Sequence, residues 1–204
     1  MNQLLLKYKA FLKAADRRFR HATRKHSVGC REECYECCAT GFFDITLLDA
    51  LYLHDALKRV PARIRERIIA RANEQLDILE KKNVFSRKAP LLRSVPAINA
   101  LARKSSDMSC PALGDNGLCL IYKHRPHVCR IFGPTIRGMH RKVWLKGCRH
   151  FRADIPDEDF GMVEQFVEEI NMKKELFEKA GRKGIPDVDT IIPAAVALDL
   201  RKWI

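Results

Sequence analysis

The sequence predicts a mainly α-helical fold: a helical bundle with irregular cysteine-rich metal-binding loops and few short strands. Three observations point there. Apolar residues recur at three- and four-residue steps in several long segments. No stretch sustains the alternation of a half-buried strand. The cysteines fall in segments punctuated by Pro and Gly rather than in regular elements. The chain has 204 residues, 47% of them hydrophobic and 31% charged, and a chain of that size buries roughly 70% of its unfolded surface without a covalent staple. A single domain over 1–204 is expected, with a cysteine-cluster region at 28–150 and flanking helices at 1–27 and 151–204.

Residues 3–27 read as an amphipathic helix with Leu5, Tyr8, Phe11 or Leu12, Ala15, Phe19 and Ala22 on one face. Its other positions carry Lys7, Lys9, Lys13, Arg17, Arg18, Arg20, Arg24 and Lys25 against Asp16 alone. Val28 and Gly29 end it. Thr46 caps a helix to about residue 59, with Leu47, Leu48, Leu51 and Leu57 apolar. Pro61 opens the next at its first turn, and that helix runs to about Lys82 over Ile64, Ile68, Ala72, Leu76 and Leu79. Pro90 and Pro96 break residues 83–109, leaving a short helix near 96–104. Residues 110–152 read as irregular, with short strands at 119–122 and 142–145. Asp157 caps a helix to about Ala180 that buries Phe160, Val163, Phe166, Val167, Ile170 and Phe177, with Gly181 as its stop. Pro193 starts a last helix that runs to the C-terminus. The three-leucine stretch near the N-terminus is interrupted by lysines, so neither a secretory leader nor a membrane span is read, and the expected compartment is the cytosol.

Eight cysteines are the most informative count: Cys30, Cys34, Cys37, Cys38, Cys110, Cys119, Cys129 and Cys148. Disulfides belong to oxidising compartments and to small domains without an adequate core. Clustered thiols in a chain read as cytosolic point instead to metal or cluster binding. The first group is CxxxCxxCC over 30–38, short enough to converge on one centre at little closure entropy. Adjacent Cys37 and Cys38 point apart if the backbone is extended there, so that they serve different metals or bridge two. The second group is spread across turns marked by Pro111 and by Gly114 to Gly117. Four plus four suits two tetrahedral sites, two four-iron clusters, or one cluster with helper thiols. Only Cys34 and Cys37 form a CxxC pair, which fits no zinc finger or ribbon, and the ferredoxin spacings do not fit either. The CxxxCxxC shared with radical-SAM enzymes stands without their strand–helix alternation. All eight cysteines are candidate metal ligands. An iron–sulfur cluster of the 4Fe–4S type is expected first, because the spacing matches no common zinc module, and zinc is the alternative. His124, His127 and His150 lie near these cysteines and are read as surface or outer-sphere groups. No Ser/His/Asp or paired-carboxylate constellation identifies a catalytic residue.

The formal charge of +13 is uneven. Residues 1–28 carry eight Lys/Arg against one acid, and residues 116–153 carry nine and no acid. Such stripes mark nucleic-acid or acidic-partner binding. Here ligand thiolates offset part of the charge, and Arg125, Arg130 and Arg149 flank cysteines. The N-terminal helix therefore reads as a solvated face without the exposed aromatics of a single-strand binder. An acidic protein partner or protein substrate is expected ahead of nucleic acid, with no membrane association.

The stretch from Cys110-Pro-Ala-Leu through Gly114, Cys119, Ile121-Tyr122, Arg125-Pro126 and Cys129-Arg130, together with CxxxCxxCC, resembles the YkgJ family of cysteine-cluster proteins, the CxxCxxCC zinc- or iron-chelating domain. The resemblance covers roughly residues 28–150 and implies a cysteine-bound zinc or iron, an iron–sulfur cluster among the forms it takes; the alternative reading of the chain is the same fold with structural zinc, an adaptor for protein or nucleic acid. Flagellin lysine N-methylase is a related member, which implies methyl transfer from S-adenosylmethionine to protein lysine. That activity is not carried over, since the chain has no strand–Gly-rich-loop–helix segment for the nucleoside. Within the motif, Pro126 is expected to stiffen the turn before Cys129. Arg125 and Arg130 are expected to bond carboxylates or carbonyls, and Tyr122 to belong to the core.

Overall fold

Helical periodicity in the sequence becomes helix in most of the places expected. The computed structural model describes residues 2–29, 35–40, 44–105, 107–138, 142–148, 151, 153–182 and 189–203. The helices are α1 Asn2–Lys25, α2 Glu36–Thr40, α3 Leu47–Leu57, α4 Ala62–Lys81, α5 Val95–Lys104, α6 His127–Ile131, α7 Asp157–Phe160, α8 Met162–Lys179 and α9 Ile192–Ala197. The strands, β1 Asp44–Thr46, β2 Thr135–Arg137, β3 Val143–Leu145, β4 Asp154–Pro156 and β5 Asp189–Ile191, are three residues each. β1 pairs antiparallel with β5, Asp44 opposite Ile191. β2 is the middle strand of the other sheet, antiparallel to β3 and parallel to β4. The fold is mainly α.

α1 buries Leu4, Tyr8, Phe11, Leu12, Ala15 and Ala22 against α3, α6 and α8. α3 lies between α1, α8 and α9 and is apolar nearly all round, as an enclosed helix must be. The Thr46 hydroxyl caps it by accepting from the Asp49 N–H at 3.1 Å. α4 turns Ile68, Ala72, Leu76 and Leu79 inward and packs on α9. Pro61 stands just before its first turn, and Ser94 caps α5. Gly181 takes φ 70° after α8, and the N–H of Arg182 closes the end on the Phe177 carbonyl at 2.9 Å.

Four expectations are corrected. The last helix stops short of the C-terminus: α9 ends at Ala197, Leu198 is extended, and a 3₁₀ turn covers Leu200–Trp203. Residues 119–122 form no strand; Tyr122–His124 is a 3₁₀ turn. The helix expected from Asp157 to Ala180 is broken at Gly161, whose φ of 67° no helix interior tolerates. The Asp157 carboxylate spans the break and accepts from the Met162 N–H at 2.6 Å, so it caps α8 rather than α7. Finally, α8 buries Met162, Gln165, Glu169, Met172 and Leu176. Val163, Phe166, Val167 and Ile170, read as its core face, are exposed by 39 to 53%. Two polar side chains with buried partners rotate the helix away from its apolar stripe. Among the described residues no helix is long and apolar enough to cross a membrane.

Candidate metal centre

The site is assembled from α2, the loop after α5, and α6. The N–H groups of Cys38 and Ala39 both bond the Tyr35 carbonyl, which starts the single turn of α2. The step from Cys37 to Cys38 is thus helical, and the condition under which the two thiols would point apart is not met. The two sulfurs lie 4.0 Å apart and both face one cavity. The second cysteine segment is tied to the first through its backbone, the Cys110 N–H donating to the Cys38 carbonyl at 2.6 Å.

Between Cys110 and Cys119 the chain makes a tight loop. Gly114 N–H bonds the Leu118 carbonyl at 2.8 Å, and the Asn116 side chain accepts from the Leu118 N–H at 3.1 Å. Gly117 has φ +76°, and a Cβ there would stand 2.6 Å from the Tyr35 ring. The glycine therefore serves both the turn and the approach of Tyr35. α4 holds the loop from below, with Arg67 and Arg71 on Asp115 and Gln75 on the Ser109 carbonyl. After the 3₁₀ turn, Pro126 leads into α6 and sets Cys129 on its inner side.

Cys37, Cys38, Cys110, Cys119 and Cys129 line one cavity of about 360 Å³, together with Phe19, Tyr35, Tyr122, Arg125, Phe132 and Phe151. Cys148 is not among the lining residues. Its N–H donates to the Gly133 carbonyl at 2.8 Å, and its carbonyl accepts from Phe151, whose ring does reach the cavity. Cys30, Cys34, Arg149 and His150 lie outside the described residues. The six described cysteines are free thiols. Among the described residues no three Cys, His, Asp or Glu side chains are set for a single ion.

The thiols are electrically linked. A hydrogen bond from Cys38 foremost, with help from Arg125, brings Cys37 down to about 7 against the opposing effect of burial. That same bond, burial and the neighbouring thiolates push Cys38 up. Burial pushes Cys110 up to about 12 and also raises Cys119 and Cys129, the charges of nearby thiolates adding to it at each. Metal-free, the cluster resists ionising at every thiol but Cys37. A bound cation removes both obstacles, since it solvates the thiolates and cancels their repulsion. The donor set is therefore chemically fitted to a soft metal.

Arg130 is buried and fully engaged: Nε donates to the Arg125 carbonyl at 2.8 Å, Nη2 to the Lys123 carbonyl at 3.0 Å, and Nη1 to Asp16. Arg125 lies over the Tyr122 ring at 3.7 Å, with Nη2 3.5 Å from Asp16. Its Nε is the one buried side-chain nitrogen or oxygen without an acceptor among the described residues. Tyr122 is 60% exposed rather than part of the core.

Behind α6 lies a buried polar network that the sequence reading missed. Asp49 accepts from the Tyr8 hydroxyl at 2.6 Å and from the His127 N–H at 2.7 Å. The His127 ring stands between Glu169, 3.2 Å away, and Gln165, 3.1 Å away. His127 is thus a tether for the helix that carries Cys129. One signal was present: Asp49 interrupts the apolar run Leu47 to Leu53.

Residues 29–149 match the family model described as "CxxCxxCC: Putative zinc- or iron-chelating domain". No curated protein and no solved structure matches the chain.

Proposed function

The chain belongs to the CxxCxxCC family of zinc- or iron-chelating domains, and on that premise we propose that it holds an iron–sulfur cluster used in redox or protein-modification chemistry. The proposed ligands come from Cys30, Cys34, Cys37, Cys38, Cys110, Cys119 and Cys129, with Cys148 as a spare thiol. One observation carries the reading: five thiols from three separate segments face the same cavity. A structural zinc is satisfied by four ligands, whereas five thiols line this cavity. A polynuclear cluster fills a cavity of this size, and thiolates are its usual ligands. When bound, it supplies one-electron transfer or an iron site for ligand activation.

The chain's own residues prepare the surroundings. Phe19, Phe132 and Phe151 exclude water and lower the local dielectric, which tunes any centre held there. Arg125 offsets thiolate charge and has an N–H free for a ligand sulfur. Asp16 holds both arginines from α1. Among the described residues no strand leads through a Gly-rich turn into a helix, so S-adenosylmethionine and lysine methylation form no part of the proposal.

The test is metal and acid-labile sulfide content, with a visible spectrum, of protein purified without oxygen. Iron and sulfide in near-equal amounts, with visible absorption that bleaches on reduction, are expected. Stoichiometric zinc without sulfide or colour would replace this reading with a structural zinc protein. Cys37→Ser, Cys119→Ser and Cys129→Ser should each lose most of the metal, while Cys148→Ser keeps it.

A further inference from the structure

The outer face of α1 carries Lys9, Lys13, Arg17, Arg20 and Arg24, all exposed. Steps of four, four, three and four residues hold them within an arc of about 80° along about 22 Å of helix. The remaining cations of α1 are tied down: Lys7 pairs with Glu175, Lys25 with Asp159, and Arg18 donates to the Gly161 carbonyl. Among the described residues the five make no ion pair. Part of the stripe forms a shallow depression lined only by Arg17, Arg20, His21, Arg24 and Lys25.

A basic stripe alone is ordinarily a solvated face. Here a second, independent feature adjoins it. Arg20 also lines the thiol cavity, whose rim carries the exposed rings of Tyr35 and Tyr122, 49% and 60% accessible. Arg125 lies against the Tyr122 ring, which is still exposed. Beyond the other end of the stripe, His124 is harder to protonate than an ordinary histidine, through burial first and then through Arg59, Lys9, Arg130 and Lys123. The positive field thus continues past the helix.

We propose that this face binds single-stranded nucleic acid, with phosphates along the α1 stripe and bases against Tyr35 and Tyr122 at the cavity mouth. Cations repeating every three or four residues answer a backbone with regularly repeating charge. Guanidinium groups suit phosphate oxygens, and accessible aromatic rings suit bases. An acidic peptide would use the charges but has no need of the rings. The inference holds for either metal in the cavity.

The test is fluorescence anisotropy of the metal-loaded protein with a labelled single-stranded oligothymidylate of about 12 nucleotides. A duplex of equal length and polyglutamate serve as competitors, across a range of salt. The single strand should bind best. Replacing Lys13, Arg17 and Arg24 together by Gln should weaken binding at least tenfold and lower the log–log salt slope by about 2. Tyr122→Ala should weaken it by about tenfold and Tyr122→Phe hardly at all. Metal content should be unchanged in the triple variant on α1 and in Tyr122→Phe, and binding by Tyr122→Ala, whose ring lines the cavity, is compared per metal-loaded molecule, which separates this interface from the fate of the metal reading. No binding at low salt would overturn the proposal. So would polyglutamate competing equally, or a duplex binding equally with no effect of Tyr122→Ala.

Discussion

Gly117 and Arg125 show how much of the centre hangs on single side chains. Gly117→Ala would force a Cβ into the Tyr35 ring at a left-handed backbone position. It should cost about 1–2 kcal/mol in urea unfolding and displace Tyr35 from the cavity. Arg125 has an unmatched N–H beside the thiols. Arg125→Gln should leave the fold intact but speed metal loss to a chelator by about tenfold or more. Arg125→Lys, which keeps the charge and loses the planar fork, should fall between. A chelation rate unchanged in both variants would mean that the orphan nitrogen has no role at the centre. Both arginines were legible from their place beside the cysteines. Asp16, which holds them, was not, because its partners lie more than 100 residues away in the chain.

α6 is a five-residue helix, too short to stand by itself, yet it carries Cys129 and Arg130. Asp49 on α3 and Glu169 and Gln165 on α8 hold it in place through His127. Asp49→Ala removes the acceptor of two buried donors, at about 1–3 kcal/mol each, and metal content should drop with stability. Asp49→Asn keeps an acceptor and should retain the metal. The network also carries a pH signature. Burial foremost, and the Glu169 charge, push Asp49 up to about 6. A carboxyl raised in the folded state stabilises below its ordinary value near 3.8, and that contribution is lost as pH rises through about 6. Burial opposes the His127 cation, but Glu169 outweighs it and raises His127, so its contribution also fades on the alkaline side. Glu169 runs the other way: burial raises it, the His127 bond more than compensates, and its share is lost in acid. The urea midpoint should therefore fall as pH rises from about 4 through about 6 and go on falling above the ordinary histidine value of 6.5, and Asp49→Asn should flatten the first part of that fall. Helix positions were legible because three-four periodicity survives in any one segment. The face of α8 was not. Val163, Phe166, Val167 and Ile170 make the better apolar stripe, and only the partners of Gln165 and Glu169, on other elements, decide against it.

At the scale of the molecule, the family-matched stretch packs against helices that lie outside it. α1 and α8, outside residues 29–149, cover α3 and α6 and supply Tyr8, Asp16 and Glu169 to the groups around the centre. A fragment spanning 28–150 should therefore fail to unfold cooperatively and should hold little metal, as measured by circular dichroism in urea and by metal analysis. A cooperative, metal-loaded fragment would show the flanking helices to be dispensable. The two cysteine motifs were legible as motifs. Their meeting through Cys110 and Cys38 is brought about by the packing of distant helices.

The pairing of β1 with β5 sets a schedule for this chain. Strand β1 must wait for a partner about 145 residues downstream, and the hydrogen bond from the Cys110 N–H to the Cys38 carbonyl closes a loop of about 72 residues. Both are contacts of high sequence separation, whose closure entropy must be met before they contribute anything. During synthesis the first thiols emerge from the ribosome well before the surfaces that shelter them. Assembly of the centre is consequently a late event in the life of each molecule, and until then its cysteines depend on the reducing power of their surroundings.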